Sequence, residues 1–360
     1  MIGIAEPQIG VEEVEAVQGV LRSGILAQGP KVAEFEEAFA GYVGCEHAVA
    51  VNSGTAALHC ALLAHRIGKG DEVVTTPFSF VASANSVLYT GAKPVFADIE
   101  PETFTLDTEK IQEKISSKTR AVLPVHLYGH PAGMKAILEL AEDYGLTVIE
   151  DACQAHGAEY RGKKVGSLGT GAFSFYPTKN MTTGEGGMLT TDDREVAEKA
   201  RLLRAHGSKA RYLHDVLGYN LRMTDLSAAI GLVQLGKLDS FNACRQKNAE
   251  FLSRGFSGLP GIKTPSVKEG CTHVFHQYTV RVEQRNRLAA FLGEEGIGSG
   301  VHYPGTIPTQ PLYEKLGYGD MLPEAERAAK EVLSLPVHPG VSGTDLEKIV
   351  ETVTAFFTDK

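Results

Sequence analysis

Phe173-Ser-Phe-Tyr-Pro-Thr-Lys179-Asn-Met-Thr-Thr-Gly184-Glu-Gly-Gly187-Met-Leu-Thr-Thr191 is the stretch around which the chain is organised. Two short apolar runs, Gly171 to Tyr176 and Gly187 to Thr191, read as strands enclosing a polar, glycine-rich loop with one lysine. A lysine on a solvated loop is ordinarily a surface charge. Held near apolar strands with few counter-charges, its amine can lose the proton and condense with an aldehyde.

Working outward, Leu146-Thr-Val-Ile-Glu-Asp151-Ala-Cys-Gln154-Ala-His156-Gly157 is an apolar run ending in an acid. It reads as a buried parallel strand whose carboxyl end opens into the crevice where doubly wound α/β sheets bind ligands. Asp151 is then either a cap on the following turn or an acid facing a ring nitrogen. Further upstream, Val49-Ala-Val-Asn-Ser53-Gly54-Thr55-Ala56-Ala57-Leu is a short strand broken at Ser-Gly-Thr and running straight into an apolar helix. Such a junction aims backbone N–H groups and the positive helix end at an anion, although Ser53 or Thr55 as a plain N-cap fits the same residues. Lysine, acid, phosphate cradle and an aromatic face at Phe78 or Phe80 are the demands of one cofactor, pyridoxal 5'-phosphate. For both phenylalanines core packing is the competing explanation.

In that order, Ser-Gly-Thr-Ala-Ala-Leu, Glu-Asp-Ala-x-Gln-Ala-His-Gly, Phe-Ser-Phe-x-x-x-Lys and Thr-Thr-Gly-Glu-Gly-Gly resemble the nucleotide-sugar aminotransferases of the DegT/StrS type, within the fold type I pyridoxal-phosphate enzymes. The likeness extends to Ser23-Gly24 and Gln28-Gly29-Pro30 near the start and to Val301-His302-Tyr303-Pro304 and Leu335-Pro336-Val337-His338-Pro339 near the end. The resemblance implies roles residue by residue. Lys179 carries the cofactor and moves protons, and Asp151 keeps the pyridine nitrogen protonated. Phe80 stacks on the ring, and Gln154 donates to its phenolic oxygen. Ser53, Gly54, Thr55, Ala56, Ser174 and the partner subunit's Asn220 hold the phosphate. His302 and Tyr303 open the sugar-nucleotide cleft, and Arg222 lies in the Gly218-Tyr-Asn220-Leu-Arg222 stretch that reaches toward the neighbouring subunit. His156 either contacts substrate or makes a structural hydrogen bond in its turn.

The resemblance further implies a homodimer with shared active sites, an amino-acid donor of which L-glutamate is the first choice, and a keto group on a nucleotide-linked sugar as acceptor. The threonine-rich Thr182 to Gly187 stretch leans toward C4 of a 4-keto-6-deoxy hexose over C3. Sugar dehydration, the family's other chemistry, has histidine where this chain has Lys179. A catalytically silent sensor on the same fold is the reading from another class, and an intact Lys179 and Asp151 speak against it.

Composition bounds the rest. The 360 residues suffice for a large cofactor-binding domain, expected over 1–240, and a small α+β domain over 241–360. The expected fold is α/β: a mainly parallel mixed sheet flanked by helices. A net charge of −9 and no basic run argue against a nucleic-acid partner. No stretch is long enough for a membrane span, and the start of the chain lacks a leader pattern, so the expectation is a cytoplasmic protein. Five scattered cysteines read as reduced thiols, and neither they nor the 12 histidines show metal-ligand spacing. No Gly-x-Gly-x-x-Gly follows the first strand, which disfavours a nicotinamide enzyme.

Overall fold

The computed structural model describes residues 1–319 and 321–358, so position 320 and the last two positions of the expected second unit lie outside it. Two helices open the chain, Val11–Ser23 (α1) and Pro30–Val43 (α2), each closed by a left-handed glycine, Gly24 at φ 74° and Gly44 at φ 85°. Asp225 caps the second from far along the chain, accepting from the N–H groups of Gly29, Lys31 and Val32.

Strands and helices then alternate: His47–Val51 (β1), Gly54–Ala64 (α3), Glu72–Thr75 (β2), Ala82–Tyr89 (α4), Lys93–Phe96 (β3), Thr108–Lys114 (α5), Thr119–Leu123 (β4), Met134–Tyr144 (α6) and Thr147–Asp151 (β5). A short hairpin, Glu159–Tyr160 (β6) and Lys163–Lys164 (β7), leads to Thr170–Ser174 (β8), Gly187–Thr191 (β9) and Arg194–Arg204 (α7). The seven-stranded sheet runs β1-β9-β8-β5-β4-β2-β3. β8, β5, β4, β2 and β3 are parallel, while β9 is antiparallel to both β8 and β1. This is the mixed, mainly parallel α/β sheet expected. β5 is buried from Val148 to Asp151, with Val148 and Ile149 apolar, because helices cover both its faces. α3, buried along nearly its whole length, packs on the sheet without a polar face.

Beyond the hairpin Ser208–Ala210 (β10) and Leu213–His214 (β11), the 31-residue helix Asp225–Gly255 (α8) runs along the body. After it come Ile262–Lys263 (β12), Cys271–Thr272 (β13), Tyr278–Val282 (β14), Arg285–Glu294 (α9), Pro311–Lys315 (α10), Pro323–Glu331 (α11), Val332–Leu335 (β15) and Gly343–Thr358 (α12). β12, β14 and β15 form a second, antiparallel sheet, over which Leu252, Leu288, Leu333, Ile349 and Val353 build a separate apolar cluster. Tyr313, Leu322 and Ala325 instead pack into the core of the large sheet.

The sequence pattern of Phe78 to Leu88 reads as a helix, but α4 begins at Ala82, because Thr76 Oγ1 accepts from the Phe78 N–H and turns the chain first. Ser299 to Tyr303 reads as a strand, but it makes one bridge, Gly300 to Ser334. Pro323 to Leu333 reads as a helix, but α11 stops at Glu331, since Val332 to Leu335 is wholly buried and pairs with β14. Among the described residues no helix is long and apolar enough to cross a membrane, and no cluster of His, Cys, Asp and Glu is arranged to hold a metal ion.

Candidate active site

The carboxyl end of β5, the β8–β9 loop and the start of α3 meet around a cavity of about 620 Å³. That size suits a small organic ligand, for which pockets of roughly 300–1,000 Å³ are usual. Lys179, Asp151, Ser53, Gly54, Thr55, Phe80, Gln154, Ser174, His302 and Tyr303 all line it.

The lysine loop is stapled by its own polar groups. Thr182 Oγ1 donates to the Phe175 carbonyl at 2.8 Å, Thr183 Oγ1 to that of Glu185 at 2.8 Å, and the Lys179 N–H to that of Tyr176 at 2.9 Å. Both threonines are buried, so they shape the loop and present no hydroxyl to the cavity. Lys179 is part-exposed there, and no protein acceptor among the described residues takes a hydrogen bond from its Nζ. Burial lowers its amine from the ordinary lysine value, while neighbouring Cys153 and Asp151 pull the other way. Burial also drives the Cys153 thiol well up, so at neutral pH Cys153 is uncharged.

Asp151 is 5% exposed. Its Oδ2 accepts from Ser83 Oγ at 2.7 Å and its Oδ1 from the Cys153 N–H at 3.2 Å, which fixes the carboxylate plane. On the next residue back, Glu150 points the other way: it takes the N–H groups of Gly166, Leu168 and Gly169 and lies 3.0 Å from His126 Nε2. Because Ala132 N–H donates to His126 Nδ1, the ring proton sits on Nε2 and is given to Glu150. Adjacent acids on one strand thus face opposite sides of the sheet, one toward the cavity and one structural.

At the start of α3, Ser53 Oγ accepts from the Ala56 N–H at 3.1 Å. The N-cap reading therefore holds for the Ser53 side chain, and Ala56, whose N–H is engaged, does not line the cavity. The N–H groups of Gly54 and Thr55 remain at the positive helix end. A Cβ on Gly54 would stand 2.6 Å from Ser174 Cβ and 2.9 Å from Cys153 Sγ, so only glycine lets the helix approach this closely. Gln154 is held at both ends: Oε1 accepts from the Tyr128 N–H at 2.9 Å and Nε2 donates to Tyr303 Oη at 3.1 Å. Phe80, 58% exposed, stands 6.4 Å from the Tyr303 ring. His302 Nδ1 pairs with Ser334 Oγ at 3.0 Å, and burial, reinforced by Lys179, pulls its imidazole down to about 4.

The structure does not bring the remaining candidates to this cavity. His156 is buried between Phe173 and Phe175, with ring centroids 5.4 and 5.7 Å away, and burial pushes it down to about 3. Only its backbone carbonyl is engaged, by Asn242 Nδ2, while both ring nitrogens are buried without a hydrogen-bond partner among the described residues, so the hydrogen bond expected inside its turn is not made by the imidazole. Asn220 and Arg222 lie exposed in a segment bridged to Ala205 and Val51. Conversely, Ser83, Glu185, His276 and Gln277 belong to the site and were not singled out. A hint existed only for Ser83, which follows Ser79 by four residues, the spacing of one helical face, although Ser79 lies ahead of α4.

These groups fit pyridoxal phosphate. There is an amine free of hydrogen bonds, a planar-held carboxylate, a helix N-terminus narrowed by Gly54 and an exposed aromatic face. Fold and cavity together define a pyridoxal-phosphate-dependent transferase of fold type I.

Residues 7–354 match the DegT/DnrJ/EryC1/StrS aminotransferase family, and the chain belongs to it. Among its relatives are a pleiotropic regulatory protein of Geobacillus stearothermophilus, 45% identical over 97% of this chain and 95% of that one. Another is the dTDP-3-amino-3,4,6-trideoxy-alpha-D-glucose transaminase of Streptomyces venezuelae, 42% identical over 97% and 93%. The crystal structure of S. venezuelae DesV in complex with a ketimine intermediate superposes with a TM-score of 0.94 at 41% identity, covering 96% of this chain and 94% of that one. The chain is accordingly a sugar aminotransferase with pyridoxal phosphate as its cofactor.

Proposed function

We propose that the protein transfers the amino group of L-glutamate to a keto group of a nucleotide-linked sugar, with Lys179 and Asp151 as the catalytic residues. The observation carrying this reading is the Lys179 amine, lowered by burial and without a hydrogen bond, in the same cavity as the fixed Asp151 carboxylate. When bound, the cofactor supplies an electron sink for the carbon losing its proton. Lys179 anchors it and, once released as a neutral amine, takes the proton from the donor Cα and returns one to the sugar carbon. Asp151, oriented by Ser83, keeps a proton on the ring nitrogen. Gly54, Thr55 and Ser174 hold the phosphate with Ser53 shaping the turn, Phe80 covers the ring, and His302 and Tyr303 line the sugar side.

C4 of a 4-keto-6-deoxy hexose is the first acceptor position to test. The C3 alternative gains from the Streptomyces relative whose name specifies a 3-amino sugar, and the threonines behind the C4 choice are turned into their own loop. We read the active unit as a cytoplasmic homodimer in which Asn220 and Arg222 serve the neighbouring site. Supporting this, Tyr212, Leu213 and Leu217, just upstream, are 83%, 54% and 82% exposed, an apolar surface that suits a second copy. The division into 1–240 and 241–360 is part of the proposal and is supported by the separate cluster over the second sheet, although the boundary falls within α8.

The test is a visible spectrum of the purified protein with pyridoxal phosphate. A near-visible band that fades on adding glutamate and is absent from Lys179→Ala supports the reading. A spectrum unchanged by glutamate, as the regulatory-protein name of the Geobacillus relative would suggest, contradicts it.

A further inference from the structure

The turn before β14 places His276 and Gln277 on the cavity wall with unmet hydrogen-bonding capacity. His276 is 7% exposed, its Nδ1 is buried without a partner, and no protein group among the described residues bonds its ring. Gln277 Oε1, an acceptor, is likewise buried and unpartnered, and the Gln277 Nε2, the donor that an anion requires, gives a hydrogen bond to no protein group among the described residues. The backbone here is fixed: the Gln277 N–H donates to the Tyr128 carbonyl at 3.2 Å, and Arg245 Nη1 donates to the carbonyls of Phe275 and His276 at 3.2 and 3.3 Å. Arg245 itself is 5% exposed, its Nε has no partner, and it forms no ion pair among the described residues. A buried guanidinium without a counter-ion is unfavourable on its own, and its field favours an anion nearby. Polar atoms left open on a cavity wall mark where a ligand completes the bonding.

We infer that His276 and Gln277, backed by Arg245, form the subsite for the α-carboxylate of the amino donor, an inference that rests on the aminotransferase reading. Two anions enter such a site, and their chemistry separates them. The α-carboxylate is bonded directly to the carbon whose proton Lys179 takes, so it must lie beside the lysine. A sugar diphosphate lies several bonds from the reacting keto carbon and belongs nearer the mouth. His276 is close enough to Lys179 and Arg245 for their charges to help keep its ring neutral, after burial. It therefore offers a single N–H, joined by the Gln277 amide, while Arg245 supplies charge without touching the ligand.

The test uses holoenzyme with Gln277→Leu and Gln277→Glu. Loss of a hydrogen bond to a charged group predicts a glutamate KM raised about tenfold in Gln277→Leu, and further in Gln277→Glu, where a like charge is added. Calorimetry with glutarate, an unreactive dicarboxylate, should show the same weakening. The KM for the keto sugar nucleotide and the cofactor band should be preserved in both. An unchanged glutamate KM, or a rise confined to the sugar nucleotide, overturns the subsite while leaving the enzyme class intact. Absence of the cofactor band from the unmodified protein overturns the parent reading and this one with it.

Discussion

Ser83 Oγ donates to Asp151 Oδ2 at 2.7 Å, and Ser79 Oγ lies 2.8 Å from Ser83 Oγ, so a buried hydroxyl pair braces the cavity carboxylate. Hydrogen bonds to charged groups contribute about 1.5–3 kcal/mol. Ser83→Ala should weaken cofactor retention about tenfold in equilibrium dialysis, and Ser83→Thr should restore most of it. Equal retention in Ser83→Ala would show that Asp151 does not depend on this brace.

Gly187 begins β9 directly against the turn that opens α3. A Cβ there would stand 2.2 Å from the Ser53 carbonyl oxygen and 2.7 Å from the Gly54 nitrogen, and backbone cannot swing aside as a flexible side chain does. Overpacking of this kind costs about 1–3 kcal/mol. Gly187→Ala should therefore lower the thermal midpoint and, by displacing the N–H groups of Gly54 and Thr55, weaken cofactor binding at the same time. A variant that melts lower yet retains the cofactor normally would place the phosphate elsewhere.

The buried imidazoles set an acid limit. Burial pushes His156 down to about 3 and His130 and His302 to about 4, and it lowers His273 and His276 well below the usual value. Unfolded, each binds a proton near pH 6.5, so between roughly pH 6.5 and 4 the unfolded chain holds more protons than the folded one. Stability is therefore present above about pH 6.5 and drains as pH falls toward 4. Urea midpoints measured from pH 7.5 to 4.5 should decline steadily below about 6.5, and a flat profile would mean these rings protonate in place. By the same argument, His302 contributes no inflection to the activity profile near pH 6.5.

Glu150 satisfies three backbone donors and the His126 ring within the core. In Glu150→Gln one oxygen becomes an NH2 group facing other donors, leaving buried N–H groups unmet. Unmet buried donors are worth about 1–3 kcal/mol each. Chemical denaturation should register a loss of roughly that size, and an unchanged midpoint would rule out a structural role for this carboxylate.

How much of this was legible in the sequence follows from the range over which each feature acts. β5 announced itself because a strand covered on both faces carries an unbroken apolar run, here Val148-Ile149, and Asp151 at its end marked the crevice. Helix ends at Gly24 and Gly145 were legible because a left-handed residue is a local demand. The Ser83 brace was not, since its partner is 68 residues away. His276 and Gln277 enter the cavity from a separate sheet, and no local pattern distinguishes them from strand-flanking polar residues. Two-residue strands such as β6, β7, β12 and β13 are too short to show periodicity. Thr182 and Thr183 have a loop role that no local pattern showed: their hydroxyls donate to the Phe175 and Glu185 carbonyls and close the loop.

The central claim is that Lys179 carries the cofactor. Holoenzyme treated with borohydride, digested and mapped by mass spectrometry tests it most directly. The account predicts one phosphopyridoxyl group on the peptide containing Lys179, and none on that peptide once glutamate has been added before reduction. Recovery of the Lys179 peptide unmodified from cofactor-loaded protein, or the label on another lysine, would contradict it.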